Sequence, residues 1–233
     1  MWDPEGMTEL GIAVDTAPAL RPHPIVLAGR VVTLRPFDLP SQAEALYQGT
    51  HGPEKDDLWR YMSEGPFASQ DEFDAAFGKK QSSADPFFFA IVDNATGVPV
   101  GQASYLRIEP SHRVIEVGAI IFTPPLQRSC GATEAMYLMA RHAFEDLGYR
   151  RYEWKCNALN QPSRRAALRL GFVFEGVFRQ HMIIKGCNRD TAWFSMLDSE
   201  WPRRRASFEQ WLAPSNFDQT GGQKLSLSSL NAH

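Results

Sequence analysis

Cysteine is scarce in this sequence: Cys130, Cys156 and Cys187 are widely spaced, and none forms a CxxC pair. That spacing excludes a zinc ribbon and a disulfide framework, and it makes a reducing compartment the natural home. Charge of one sign is lacking too. The 233 residues hold 24 basic and 27 acidic side chains, a formal net charge of −3. No global positive field exists to hold a nucleic-acid backbone. No apolar run approaches the roughly 18 residues of a membrane span. The opening residues Met1-Trp2-Asp3-Pro4-Glu5-Gly6 carry neither the basic region nor the apolar stretch of a secretion signal. The six histidines have no metal-ligand spacing, so no metal is expected. These absences lead us to expect a cytoplasmic globular protein with neither nucleic-acid nor membrane partners.

What is present is core-forming material, 43% hydrophobic and 12% aromatic. Residues 1–28 have no period and are expected to form an irregular arm, and residues 214–233, rich in Ser, Gln, Gly and Asn, a flexible tail. Between them, residues 29–213 suffice for one domain. Residues 30–35 alternate as a strand, and Asp38 offers a cap to a helix through Tyr47. A second helical stretch covers residues 70–80. The run 86–92, the turn Asp93-Asn94-Ala95-Thr96-Gly97 and the run 98–106 read as a hairpin. Val114–Phe122 is a third strand, stopped by Thr123-Pro124-Pro125. Residues 133–147 have helical spacing, with Gly148 as a left-handed stop. Residues 151–156 form a strand, and Asn160 caps a helix that ends at Gly171. Residues 172–185 and 190–197, joined by Gly186-Cys187-Asn188-Arg189, close the pattern as a hairpin. The class is α/β (α+β): a mixed sheet of six or seven strands with helices on both faces.

Two strand-to-helix junctions carry the chemistry. In Ile120-Ile121-Phe122-Thr123-Pro124-Pro125-Leu126-Gln127-Arg128-Ser129-Cys130-Gly131-Ala132-Thr133, a buried strand stops and small residues open a long amphipathic helix. Amides without intrahelical acceptors and the helix dipole favour a phosphate or pyrophosphate there, although any strand-to-helix turn uses small residues. Neither a P-loop nor a GxGxxG fingerprint is present. In Asn157-Ala158-Leu159-Asn160-Gln161-Pro162-Ser163, Asn160 and Ser163 lie one turn apart at a helix start. They are placed to cap that helix or to meet a ligand passing the strand end.

Both junctions together resemble the GNAT acetyltransferase superfamily. Gln127 to Ala132 occupies its Q/R-x-x-G-x-G/A pyrophosphate signature. The following Thr-Glu-Ala, the Asn-x-x-Ser before a helix, the closing Leu-Gly-Phe and the final hairpin with Lys185-Gly186 and Asp190 look like the RimJ/RimL branch of ribosomal-protein N-terminal acetyltransferases. Val31-Thr33-Leu34-Arg35-Pro36 and Thr96-Gly97-Val98-Pro99-Val100-Gly101 match as well, so the resemblance spans about residues 28–200. One departure is Cys130, which stands where the signature has its first glycine, with Gly131 one place late. Its side chain must point away, or phosphate affinity falls. A thiol at a helix N-terminus also suggests a lowered pKa and a nucleophile, but no histidine is near it in sequence and the family transfers directly. Packing, or an accidental disulfide with the cofactor thiol, is the simpler role.

The resemblance implies a central sheet splayed between two strands, here Val114–Phe122 and residues 151–157, where the acetyl-CoA thioester meets an amine by direct attack in a ternary complex. Ile120, Ile121 and Phe122 would run beside the pantetheine. The amides of Arg128, Ser129, Cys130, Gly131, Ala132 and Thr133, together with Gln127, would hold the pyrophosphate. Asn160 would contact the pantetheine, and Ser163 the sulfur, where it could protonate the leaving thiolate. An acceptor amine is mostly protonated near neutrality and must lose a proton. Glu116 is the candidate base. Counting alternate residues puts it on one strand face with Gly118, Ile120 and Phe122; the plain alternative is a solvated strand carboxylate. Tyr105 and Trp154 would line the acceptor pocket or belong to the core. The acceptor is a small molecule, an amino acid or a protein N-terminus, and a homodimer is compatible with the pattern. The rival reading is a catalytically degenerate domain that binds CoA as a sensor or interaction module.

Overall fold

The computed structural model of the chain describes residues 7–8 and 11–232. Strands β1 (Met7–Thr8) and β2 (Gly11–Ile12) make a small ribbon. The main sheet takes β3 (Leu27–Ala28), β4 (Val32–Pro36), β5 (Phe87–Asp93), β6 (Pro99–Glu109), β7 (Val114–Phe122), β8 (Arg151–Asn157), β9 (Val173–Ile184) and β10 (Cys187–Leu197). Their spatial order is β3-β4-β5-β6-β7-β8-β10-β9. The eighth strand comes from the stretch expected to be irregular. Leu27 pairs with Leu34 and is buried, which draws Leu27–Ala28 onto the sheet edge. Further back, the Ala19 amide donates to the Pro110 carbonyl at 3.0 Å and the Leu20 amide to the Leu147 carbonyl at 2.9 Å. Residues 1–6, 9 and 10 of that expected arm lie outside the described residues.

Helices cover both faces. On one, α1 (Leu39–Thr50) and α2 (Gln70–Gln81) bury Leu46, Phe73 and Phe77 with Phe37, Trp59 and Phe88. On the other, α3 (Cys130–Arg141), α4 (Gln161–Leu170) and α5 (Trp201–Leu212) close the larger core. The helical period expected over residues 133–147 divides in two. The α-helix passes at His142 into one π turn, His142–Asp146, and Gly148 at φ 78° lets the chain reverse. The final hairpin is tighter than expected. Cys187 already belongs to β10, and Lys185 and Gly186, at φ 49° and 74°, form the left-handed pair that a two-residue type I′ turn needs.

The expected flexible tail packs instead. Leu227, in the short helix α6 (Leu227–Asn231), is fully buried, and Asn216 Nδ2 bonds the carbonyls of Trp211 and Leu225, both at 3.1 Å. Arg203 and Arg204 both donate to the Asn231 carbonyl, and Asn231 Nδ2 donates to the Arg169 carbonyl. The polar composition that reads as loose is spent on hydrogen bonds that dock this segment to α4 and α5.

The feature that positions the site lies mid-sheet. β7 and β8 are the parallel pair, and their register runs only from Val114↔Arg151 to Val117↔Trp154. Beyond it, residues 118–122 and 155–157 diverge without pairing to each other, which opens the sheet.

Candidate active site

Ala119 makes the divergence geometric. It sits at φ 49°, and the pairing of β7 with β6 slips between Gln102↔Ile121 and Ser104↔Gly118, which is a bulge. Gln102 Nε2 and Ser104 Oγ satisfy the carbonyls of Ala119 and Gly118 at 3.1 Å each. A bulge adds one residue and inverts the alternation. Ile115 and Val117 therefore face the large core, as do Ile120 and Phe122 beyond the bulge, whereas Ile121 is buried in the core under α1 and α2. This corrects the alternation argument: Glu116 does not share a face with Ile120 and Phe122.

Glu116 is only 3% exposed. Its Oε2 accepts from Arg107 Nη1 at 2.7 Å and lies 3.0 Å from Lys155 Nζ. Lys155 also meets Glu153 Oε2 at 2.6 Å, and Arg151 Nε reaches Glu153 Oε1 at 2.7 Å. Arg151 then pairs with Glu175, which accepts from Ser195 Oγ at 2.7 Å. The indole of Trp193 caps the Lys155 ammonium, 3.8 Å from the ring centroid. Burial pushes the Glu116 carboxyl up from its ordinary value, while Lys155 and Arg107 pull it down. Glu116 is thus not the solvated strand carboxylate of the plain alternative. It is one member of a charge ladder across β6, β7, β8, β10 and β9. A signal existed for Lys155 and Glu153, since they alternate with Tyr152, Trp154 and Cys156 in an otherwise apolar central strand, and charges buried there need partners.

Ser163 lies on the other face. Its Oγ accepts from Trp154 Nε1 at 3.0 Å, and Trp154 packs on Phe172 in the large core. The Ser163 amide donates to Asn160 Oδ1 at 3.1 Å, so Asn160 is the cap and keeps its Nδ2 free of any partner among the described residues. Glu116 and Ser163 therefore face opposite sides of the sheet and can be joined only through the β7–β8 opening. Tyr105 is entirely core, its hydroxyl donating to the Met139 carbonyl at 2.7 Å.

At the start of α3, Gln127 Nε2 bonds the Phe122 carbonyl at 3.0 Å and folds the loop onto the end of β7. Ser129 is the N-cap, taking the Ala132 amide at 3.1 Å, and its own amide donates to the Leu126 carbonyl at 3.3 Å. Two of the six expected phosphate donors are therefore consumed within the loop. The amides of Arg128, at φ 57°, and of Cys130 and Gly131 have no acceptor among the described residues. Thr133 points elsewhere, its Oγ1 accepting from Arg169 Nη1 at 3.0 Å. Cys130 Sγ is directed at Arg30, 3.8 Å from Nη2, and burial raises its thiol pKa. Such a thiol is not an acidified nucleophile, in keeping with the packing role expected for it. Gly131 has a packing reason: a Cβ there would stand 2.8 Å from Val32 Cγ1. Glu134, which sequence reasoning passed over, takes the amides of Arg30, Val31 and Val32 at 2.9, 2.6 and 2.9 Å and locks α3 to the β3–β4 turn.

A family model described as an acetyltransferase (GNAT) domain matches residues 32–173, the span that holds the opening and the amide corner. The chain belongs to the GNAT acetyltransferase family. A GCN5-related N-acetyltransferase from Brucella melitensis, known as a crystal structure, is 43% identical, covers 93% of this GNAT chain and 98% of its own, and superposes with a TM-score of 0.91. A GNAT-family structure from Chromobacterium violaceum ATCC 12472 is 37% identical over 79% of this chain and 92% of its own, with a TM-score of 0.75. The uncharacterized N-acetyltransferase YoaA of Bacillus subtilis (strain 168) is 31% identical over 98 residues, 42% of this chain. The GNAT chain spans only 55% of that curated relative's length. Among the described residues, no group of three or more His, Cys, Asp or Glu could hold a metal ion, and no helix is long and apolar enough to cross a membrane.

Proposed function

We propose that this chain is an acetyl-CoA-dependent N-acetyltransferase of the cytoplasm, RimJ/RimL-like in its motif order, which acetylates a primary amine by direct attack in a ternary complex. The observation that carries the proposal is the β7–β8 opening with the free amides of Arg128, Cys130 and Gly131 at the helix start that follows β7. Those amides fit a diphosphate, because they lack acceptors and stand at the positive end of α3. Cys130 does not oppose the fit, since its sulfur is turned to Arg30.

When bound, the coenzyme supplies an acetyl group activated as a thioester. The chain supplies position and proton traffic. Residues 120–122 present an unpaired strand edge to a ligand in the opening, and Asn160 offers its free Nδ2 from the facing helix. Ser163 Oγ accepts from the Trp154 indole and also hydrogen-bonds the Cys156 sulfur, and its proton would turn from that sulfur to a leaving thiolate. Glu116 has Oε1 free of hydrogen bonds among the described residues, while Oε2 is held by two cations. That arrangement suits proton uptake from the amine through water at Oε1. The raised pKa of Glu116 brings the carboxylate nearer the range a general base needs.

The test is thiol release from acetyl-CoA with a panel of amines, alongside calorimetry with CoA. Amine-dependent release supports the proposal, and no heat with CoA refutes it. The second reading, a CoA-binding module without turnover, has one observation in its favour, the double ion pairing of Glu116. CoA binding with no release for any amine would decide for it.

A further inference from the structure

Past the C-terminal end of β8, one of the two strands of the opening, lies a cavity of about 360 Å³ whose lining includes Arg60, Tyr61, Asn157, Lys185, Asn188 and Arg189. Three chain segments build it: the loop after α1, the end of β8 and the tip of the β9–β10 hairpin. Two contacts hold them together. Tyr61 Oη donates to the Leu159 carbonyl at 3.3 Å, and Lys185 Nζ donates to the Trp59 carbonyl at 2.8 Å.

The lining holds three cations and no carboxylate. Arg60 pairs with Asp57 at the exposed surface. Lys185 has a carbonyl but no ion pair among the described residues. Arg189 has less still. Its guanidinium makes no hydrogen bond, ion pair or ring contact among them, and its Nε is both buried and unsatisfied. Burying part of a guanidinium is costly unless an anion meets it, and the carboxylate that acts on Arg189, Glu116, does so through space without a hydrogen bond. Nearby, Asp190 is spent on the Gln180 amide at 2.7 Å and on Asn188 Nδ2 at 3.0 Å.

We propose that Arg189, with Lys185, forms an anion subsite for the acceptor, so that the preferred substrate is a small amine that also carries a carboxylate or a phosphate monoester. The proposal rests on the acetyltransferase reading and narrows it. A volume of this size matches the small end of ligand pockets, not a folded protein surface. The guanidinium fork suits both oxyanions, and the neighbouring β8 end leads to the opening where the amine must arrive.

The test is direct binding, which needs no turnover. Calorimetry compares L-leucine with L-leucinamide, and phosphoethanolamine with ethanolamine, on the full chain and on Arg189→Met, each with and without CoA. The wild type is expected to bind the anionic member of at least one pair about tenfold tighter or more, the worth of one charge-assisted hydrogen bond. Arg189→Met is expected to abolish that preference while CoA affinity stays within about twofold. Which pair responds tells carboxylate from phosphate. Equal binding within both pairs overturns the proposal, as does a loss of CoA affinity in Arg189→Met, which would give the guanidinium to the coenzyme's phosphates. Tight binding only of a peptide N-terminus would also overturn it. Anion preference without thiol release would sink the catalytic reading and leave the subsite; thiol release without anion preference would do the reverse.

Discussion

Replacing Lys155 by Met removes the one cation that touches both Glu116 and Glu153. The ammonium is 3.0 Å from Glu116 Oε2 and 2.6 Å from Glu153 Oε2, and its side chain is only 5% exposed. Each carboxylate keeps one arginine, Arg107 for Glu116 and Arg151 for Glu153, but Arg107 is 44% exposed and is screened by water. Breaking a buried pair by removing one partner costs about 3–5 kcal/mol, and the surviving arginines put the expected loss near the lower end, about 3 kcal/mol. The sign of the pH dependence follows from Glu116. Its folded-state pKa is raised by burial, and losing Lys155 raises it further. A carboxyl with a raised folded pKa weakens the fold once it ionises, so the fold gains relative stability as pH falls through that pKa. Urea unfolding of wild type and Lys155→Met should therefore show the full penalty at pH 8 and a smaller one at pH 5. Glu116→Gln added to Lys155→Met should recover part of it at pH 8. A penalty identical at the two pH values, or below about 1 kcal/mol at pH 8, would refute the idea of a buried, mutually dependent ladder.

Three further outcomes are expected. Glu134→Ala strips the acceptor from three amides of the β3–β4 turn and should cost about 3 kcal/mol or more, read as a lowered unfolding midpoint in urea; a midpoint shift worth under about 1 kcal/mol would deny the clamp. Leu227→Ala should cost about 2–5 kcal/mol, whereas a loose tail would leave thermal melting unchanged. Iodoacetamide at neutral pH should modify the exposed Cys187 well before Cys130, whose thiol is half-buried and raised in pKa. Mass spectrometry of the peptides reads the order, and faster labelling of Cys130 would restore the acidified thiol.

The hydrophobic periods, the capping residue Asn160 and the glycine stops at Gly148 and Gly171 are local, and for that reason they were legible, whereas the Ser129 cap emerged only from the fold and Asp38 makes no side-chain cap bond. The legible features follow from backbone groups and side chains a few residues apart, and so does the order of motifs that carries the family resemblance. The sequence alone therefore determined the strand and helix succession from β4 to β10, while the opening strand pair entered through the family resemblance. What it could not decide depended on partners distant along the chain. The bulge at Ala119 turned Glu116 away from Ile120 and Phe122, and alternation cannot be counted through a residue that pairs with nothing. Whether Glu116 was solvated or buried depended on Arg107 and Lys155, which only the assembled sheet brings to it. Segments that read as loose, Leu27–Ala28 and residues 217–232, became ordered because the finished core offered them an edge and a groove. The Arg189 guanidinium, without a direct ion pair among the described residues, is of the same kind, since a missing contact can be seen only after every segment around it has been placed.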